Sequence, residues 1–244
     1  MRNIKLTVSY DGSNYFGFQI QPDKITIQSQ IQKALKSLFK EDIKIFGSSR
    51  TDAKVHAQRT VCNFHLDNKI DCKNIVRALN TKLNPDIRVL EAVDVRDEFH
   101  SRIHSVGKSY RYRIYTGEIM SVFERNYAWN LCRDLDIEKM NEACKYIIGT
   151  HEFDSFKAAK GSAKTSRRTV YELKVSKDKD IVYIDIRGNG FLYNMVRIIA
   201  GTLVDVGTSK FKPSYVKDII DAKDRTKASK TAPACGLFLM EVYY

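Results

Sequence analysis

The sequence predicts an α+β protein made of two tandem ferredoxin-like (split βαβ) halves. Three observations carry this. Hydrophobic periodicity reads strand, helix, strand, strand, helix, strand, and the same order occurs twice. The period-two runs are short, whereas the runs with a period near 3.6 are long enough for several helical turns. A stretch of little periodicity, 101–107, separates the two series. The expected division is an N-terminal half 1–105 and a C-terminal half 106–244. The halves share a pattern without obvious identity. Their sheets are expected to join into one continuous, mostly antiparallel sheet flanked by helices.

The elements follow in order. Ile4, Leu6, Val8 and Tyr10 alternate with Lys5, Thr7 and Ser9, which predicts a half-buried strand ended by the Asp11-Gly12 turn. Thr26 is a suitable N-cap for a helix that places Ile27, Ile31, Ala34, Leu35 and Leu38 on one face. The runs 43–47 and 60–66 read as strands. A helix over 73–83 puts Ile75, Val76, Leu79 and Leu83 on one face and is stopped by Asn84-Pro85, and 87–95 is strand again. In the second half 110–115 alternates as a strand. Leu135, Ile137, Met140, Ala143, Cys144 and Ile147 mark an amphipathic helix. Strands are expected over 170–175 and 181–186, about the charged turn Lys177-Asp178-Lys179-Asp180. An apolar helix over 191–206, a short helix near 214–222 and a last strand over 237–242 complete the chain.

Composition narrows the class. At 244 residues and 43% hydrophobic, with 12 Gly and 4 Pro, the chain is neither disordered nor collagenous. It contains no run of about 18 apolar residues, so no membrane span is expected. Met1 leads straight into a strand pattern without a secretory apolar region. Lys and Arg number 41 against 29 acids, a net charge of +12, which points to an acidic partner, most commonly nucleic acid. The five cysteines are odd in number and lack C-x-x-C spacing, as expected for free thiols in a reducing cytoplasm. His100 and His104 have the one metal-like spacing. No third ligand stands nearby, so no metal is expected.

Four segments hold candidate chemistry. The connection 46–57 places Arg50, Asp52, Lys54 and His56 at alternate positions, and an extended loop would project them to one side. An acid among cations remains ionised. On spacing alone a turn role for Asp52 outweighs a catalytic one. Lys108-Ser109-Tyr110-Arg111-Tyr112-Arg113 interleaves cations with aromatics on a strand. Either the tyrosines stack RNA bases while the cations meet phosphates, or the tyrosines enter the core and the cations face water. Arg197 is a lone cation in an apolar helix, so it either snorkels to water or pairs with a carboxylate such as Asp52. The segment 156–168 carries Lys157, Lys160, Lys164, Arg167 and Arg168 with no acid, and 223–230 is similar. Each is either a solvated loop or a phosphate-binding one.

Taken together, these segments resemble the tRNA pseudouridine synthase A family nearly end to end. Tyr10-Asp11-Gly12, Gly17-Phe18-Gln19-x-Gln21 and Thr26-x-Gln28 are similar to its Y-D-G, G-W-Q-x-Q and T-V-Q opening. Residues 50–57 match R-T-D-A-G-V-H-A. Phe99-His100-Ser101-Arg102 and Lys108-Ser109-Tyr110-Arg111-Tyr112 match F-H-A-R and K-x-Y-x-Y. Residues 149–156 resemble G-x-H-D-F-x-S-F, 191–197 resemble F-L-x-x-M-V-R, and 236–239 match G-L-x-L. Phe18 stands for Trp, and Ser49 and Lys54 stand where the family has Gly.

The resemblance implies the pseudouridine synthase fold, with an active-site cleft between the halves, and a cofactor-free isomerase converting uridine to pseudouridine. The implied substrate is the anticodon stem-loop of tRNA, positions 38–40. It implies Asp52 as nucleophile, Tyr110 as the tyrosine stacking on uracil, Arg197 as the cation paired with Asp52, Arg50 as the residue active in base flipping and Leu239 as a uracil-pocket residue. Lys54, His56, Lys157, Lys160, Lys164, Arg167 and Arg168 are the further candidates for RNA contact. It also implies a homodimer. The alternatives are a paralogue acting on another tRNA or ribosomal RNA uridine, and an RNA-binding protein without activity. A carboxylate hydrolase ranks last, for want of a second placed acid.

Overall fold

The computed structural model describes residues 1–244 except Lys160 and Ser162. It resolves into two compact units, Met1–Val106 with Phe238–Tyr244, and Gly107–Leu237.

The first unit begins with β1 (Arg2–Tyr10), α1 (Ile27–Phe39), β2 (Phe46–Gly47), β3 (His56–Leu66), α2 (Cys72–Lys82) and β4 (Ile87–Val95). β1 lies between β3 and β4 and is antiparallel to both, while β2 pairs antiparallel with β3. The order β4-β1-β3-β2 and the βαββαβ sequence make a split βαβ unit. β1 is buried on both faces rather than one. Ile4, Leu6 and Val8 face one way and Asn3 and Thr7 the other, and all five are buried. The second face is covered by the segment after β4, where the Asn3 amide donates to the carbonyls of Arg96, Asp97 and Phe99.

Local chemistry sets the ends of these elements. Thr26 caps α1 through a reciprocal pair with Ser29, and Asp71 caps α2 by accepting from the Lys73 N–H. β2 is shorter than the expected 43–47 because the Ile45 carbonyl accepts from the Gln28 side chain instead of a strand. The β1–β3 register slips between the pairs Val8–Thr60 and Tyr10–Ala57. Such a bulge re-aims the residues beyond it, here the start of β3.

The second unit contains β5 (Gly107–Tyr115), β6 (Trp129–Asn130), α3 (Ile137–Ile147), β7 (Gly149–Glu152), β8 (Arg167–Asp178), β9 (Ile181–Gly188), α4 (Met195–Gly207) and α5 (Tyr215–Ala222). Its ladder β5-β9-β8-β7 is antiparallel throughout, and β6 runs parallel along β5. α3 packs on β8 and on α4 and α5. Every residue of α4 except Arg197 and Asp205 is buried, as an all-round apolar helix requires. At Gly201 the Lys230 carbonyl comes so close that a Cβ would stand 2.1 Å from it. The expected helix 191–206 starts only at Met195. Asn194 is left-handed at φ 60, and the Tyr193 carbonyl accepts from the Ala158 N–H. Among the described residues no helix is long and apolar enough to cross a membrane.

β10 (Leu237–Tyr243) differs from the expected division, which set all of 106–244 together. From Phe238 onward it belongs to the first unit. It pairs parallel to β3 through Phe238–His56 and Leu239–Ala57. Glu241 meets Arg59 at 3.1 Å, and Tyr244 donates its hydroxyl to the Ser101 carbonyl at 2.7 Å.

Candidate active site

The Asp52 loop joins β2 to β3 and is held by the chain that follows β1. The Phe18 N–H donates to the Thr51 carbonyl (3.1 Å), and the Lys54 N–H donates to the Tyr15 carbonyl (3.2 Å). The Tyr10 and Thr51 hydroxyls share a hydrogen bond of 2.7 Å. These contacts need glycine. A Cβ on Gly12 would stand 2.0 Å from the Val55 carbonyl oxygen, and one on Gly17, at φ +89, would stand 2.5 Å from that of Thr51. The sequence motifs Tyr10-Asp11-Gly12 and Gly17-Phe18 are therefore the backing of the loop. Sequence reasoning matched these motifs without seeing this role. Gly12 and Gly17 lie far from Arg50-Thr51-Asp52 in sequence, so spacing carries no signal of this contact.

The loop is not extended. The Val55 N–H closes back on the Asp52 carbonyl (3.2 Å), and Lys54 is left-handed at φ 65. Arg50, Asp52, Lys54 and His56 therefore do not share a side. Arg50 and Lys54 are exposed and Asp52 is half-buried. His56 is 1% exposed, accepts the Gly12 N–H at Nδ1 (3.1 Å), stands 3.1 Å from Asp11 Oδ1 and stacks on Phe238 at 4.6 Å. It braces the loop from inside, contrary to its expected place at the RNA. Leu239, on β10 beside Ala57, is fully buried.

The second unit supplies Tyr110 and Arg197. β5 turns Tyr110 and Tyr112 to one face, where both are buried. Tyr110 meets the edge of Phe191 at 5.3 Å and 89°, and Tyr112 donates its hydroxyl to the Pro233 carbonyl at 2.7 Å. Burial raises the Tyr112 pKa well above its ordinary value. The cations between them meet acids. Arg111 is bidentate to Asp185 (2.7 and 3.0 Å), which raises its pKa, and Arg113 meets Glu124 at 2.6 Å. The interleaved strand thus sets Tyr112 fully in the core, and its arginines are paired with acids.

Arg197 stands in the first turn of α4. Its Nε donates to the Ala232 carbonyl (2.8 Å) and its Nη1 to Asn194 Oδ1 (2.9 Å), so the guanidinium plane is fixed from two directions. Neither Asn194 nor Ala232 was legible as its holder, because Asn194 reaches the guanidinium from a left-handed cap position and the Ala232 carbonyl comes from a segment distant in sequence.

Of the basic segment, Lys157 and Arg168 are half-buried, Lys164 and Arg167 are exposed, and Lys160 lies outside the described residues. Arg168 donates to the carbonyls of Thr165 (3.1 Å) and Arg167 (2.6 Å), and burial lowers its pKa. The segment leans on the turn before α4, where a Cβ on Gly161 would meet Tyr193 at 3.3 Å. His104 Nδ1 accepts the His100 N–H and His100 Nδ1 accepts the Arg102 N–H, so both rings serve their own turn.

The family model described as tRNA pseudouridine synthase matches residues 6–102 and 143–244. A tRNA pseudouridine synthase A of Clostridium kluyveri is 49% identical over 244 residues, covering 100% of both chains. A tRNA pseudouridine synthase A 2 of Clostridium perfringens is 46% identical over 244 residues with the same coverage. A tRNA pseudouridine synthase A of Thermoanaerobacter is 47% identical over 245 residues, again covering 100% of both.

Proposed function

This chain belongs to the tRNA pseudouridine synthase family, and on that premise we propose that it isomerises uridine to pseudouridine in the anticodon stem-loop of tRNA, with Asp52 as the reacting carboxylate. The observation that carries the reading is the braced Asp52 loop. Backbone hydrogen bonds and two close glycine approaches fix one half-buried carboxylate beside an exposed arginine.

The reaction cuts the N1–C1′ bond, rotates the base, joins C5 to C1′, releases the proton from C5 and places one on N1, so the product is an isomer. An ionised acid serves by attacking C1′, by taking the C2′ proton to give a glycal, or by adding to C6, and each route needs it positioned. Arg197 favours the charged carboxylate and stabilises charge on the detached uracil. Tyr110 receives the flipped ring, since a stacked base is out of reach. Arg50 is exposed beside Asp52, as a residue filling the vacated stack must be. Lys54, Lys157, Lys164, Arg167 and Arg168 hold backbone phosphates. The five free cysteines favour a reducing, cytoplasmic location. A homodimer is the assembly we propose, and the exposed trio Ile119, Val122 and Phe123 supports a self-contact.

The test is tritium release from C5-labelled tRNA together with pseudouridine mapping. Asp52→Asn is expected to abolish product while tRNA binding stays within severalfold of wild type. Turnover by that variant would sink the assignment, and mapping to uridines elsewhere would sink the anticodon assignment.

A further inference from the structure

We infer that Arg225 holds a backbone phosphate of the RNA next to the target nucleotide; the inference rests on the synthase reading above. Among the other half-buried arginines, Arg2 pairs with Asp94, Arg111 with Asp185, Arg113 with Glu124 and Arg187 with Glu172, while Arg88 and Arg168 donate to backbone carbonyls. Arg225 is half-buried, and none of the described carboxylates forms an ion pair with it. Its Nη1 donates to the Ala228 carbonyl (3.1 Å) and its Nη2 to Thr231 Oγ1 (3.3 Å). The adjacent Asp224 is turned away from it, accepting the Thr226 N–H and hydroxyl at 2.8 Å each. Burial lowers the Arg225 pKa and no acid offsets this. A desolvated cation among neutral acceptors carries uncompensated charge, which an arriving anion supplies. Its fork is already oriented by two fixed acceptors, the arrangement that suits phosphate oxygens.

Its place in the second unit identifies the phosphate. Thr231, which holds Nη2, is followed by Ala232. That residue's carbonyl accepts from Arg197 Nε, and its N–H donates to the Arg197 carbonyl at 3.1 Å. The segment 228–232 is thus tied to Arg225 at one end and to Arg197 at the other. The 3-10 turns Asp154–Phe156 and Arg225–Lys227 also pack together, which joins the two basic segments. Arg225 stands where both basic segments and the reacting-site arginine converge.

The experiment measures full-length protein binding to a tRNA transcript across a salt series, with kcat and KM by tritium release, for Arg225→Gln and Arg225→Lys. Arg225→Gln is expected to weaken binding about tenfold. It should also reduce the slope of log Kobs against log salt by about 0.7 to 0.9, one phosphate's worth. Its kcat at saturating tRNA should stay within about twofold of wild type, because uniform binding does not alter kcat. Arg225→Lys keeps the charge, so its slope should match wild type even if the fork is lost. A wild-type slope for Arg225→Gln overturns the inference. So does a fallen kcat with unchanged binding, which would make Arg225 a positioning residue for Arg197. A wild-type chain that binds tRNA without isomerising it overturns the synthase reading alone, since the salt slope still reads Arg225.

Discussion

Lys54 is a single residue that departs from the motif it matches and takes a left-handed backbone, at φ 65. The matching motif has Gly there, and Lys54 adopts the left-handed conformation that Gly takes freely. That conformation costs a non-glycine residue about 1–2 kcal/mol, while glycine loses about 0.5–1 kcal/mol of chain entropy on folding. Lys54→Gly should therefore raise stability by roughly 0.5–1 kcal/mol in urea unfolding. Lower stability would show that the lysine side chain secures the turn. Ser49, the other departure, has no positive φ, but its Oγ is buried without a hydrogen-bond partner. Ser49→Ala should be neutral or stabilising, since it removes an unsatisfied hydroxyl. At Tyr110 the ring and the hydroxyl can be separated. Tyr110→Phe should leave tRNA affinity nearly intact and lower kcat about 10²-fold or more if the hydroxyl moves a proton. Full turnover would exclude that role. The Arg-Thr-Asp-Ala run was legible as a motif. The direction of its side chains was not, because one left-handed residue reverses the alternation that spacing assumes.

At the scale of elements, strands and helices followed periodicity closely. β4 spans the expected 87–95, and Thr26 caps α1 as the sequence indicated. The errors arose where a contact distant in sequence overrode a local pattern. Gln28 takes the carbonyl that would have lengthened β2, and the Ala158 N–H takes the one preceding α4. The inward face of β5 was undecidable locally. Its arginines are explained by Asp185 across the ladder and by Glu124, neither of which a strand pattern reveals. The bracing of the Asp52 loop belongs to this scale too. Gly17→Ala places a methyl 2.5 Å from the Thr51 oxygen at φ +89, so the loop must move. The expected outcome is a loss of about 1–3 kcal/mol in stability and a fall in kcat larger than any change in tRNA affinity. An unchanged kcat would mean that Asp52 does not depend on this backing.

For the molecule as a whole, the charge of +12 now has two populations. Some arginines are internal partners of carboxylates, while Lys164, Arg167, Lys223, Lys227 and Lys230 are exposed, as the RNA contacts proposed for the two basic segments require. Wild-type tRNA affinity should accordingly fall steeply between 50 and 200 mM salt, by about 10³-fold or more for six or more phosphates. A flat response would contradict the assignment. Alkali tests the interior. Burial raises the pKa of Tyr112, and burial with the Asp86 contact raises Tyr15 to about 12. Above pH about 10 the unfolded chain loses these phenolic protons first, so stability is full below that pH and declines as pH rises. Tyr112→Phe should reduce the steepness of that alkaline decline in thermal melts. An identical profile would show that Tyr112 does not titrate in the transition.

The seating of Phe238–Tyr244 in the first unit also has a consequence for biosynthesis. A ribosome emits β1 through β4 early, yet the strand that covers this edge of β3 emerges only after the whole of Gly107–Leu237. Until then the His56–Ala57 edge, the ring face of His56 and the Arg59 guanidinium lack their neighbours. The nascent first unit carries an open strand edge, the kind that pairs with other chains. The loop that holds Asp52 thus acquires this support only after Gly107–Leu237 has been made, so a product truncated before Phe238 should hold that carboxylate poorly.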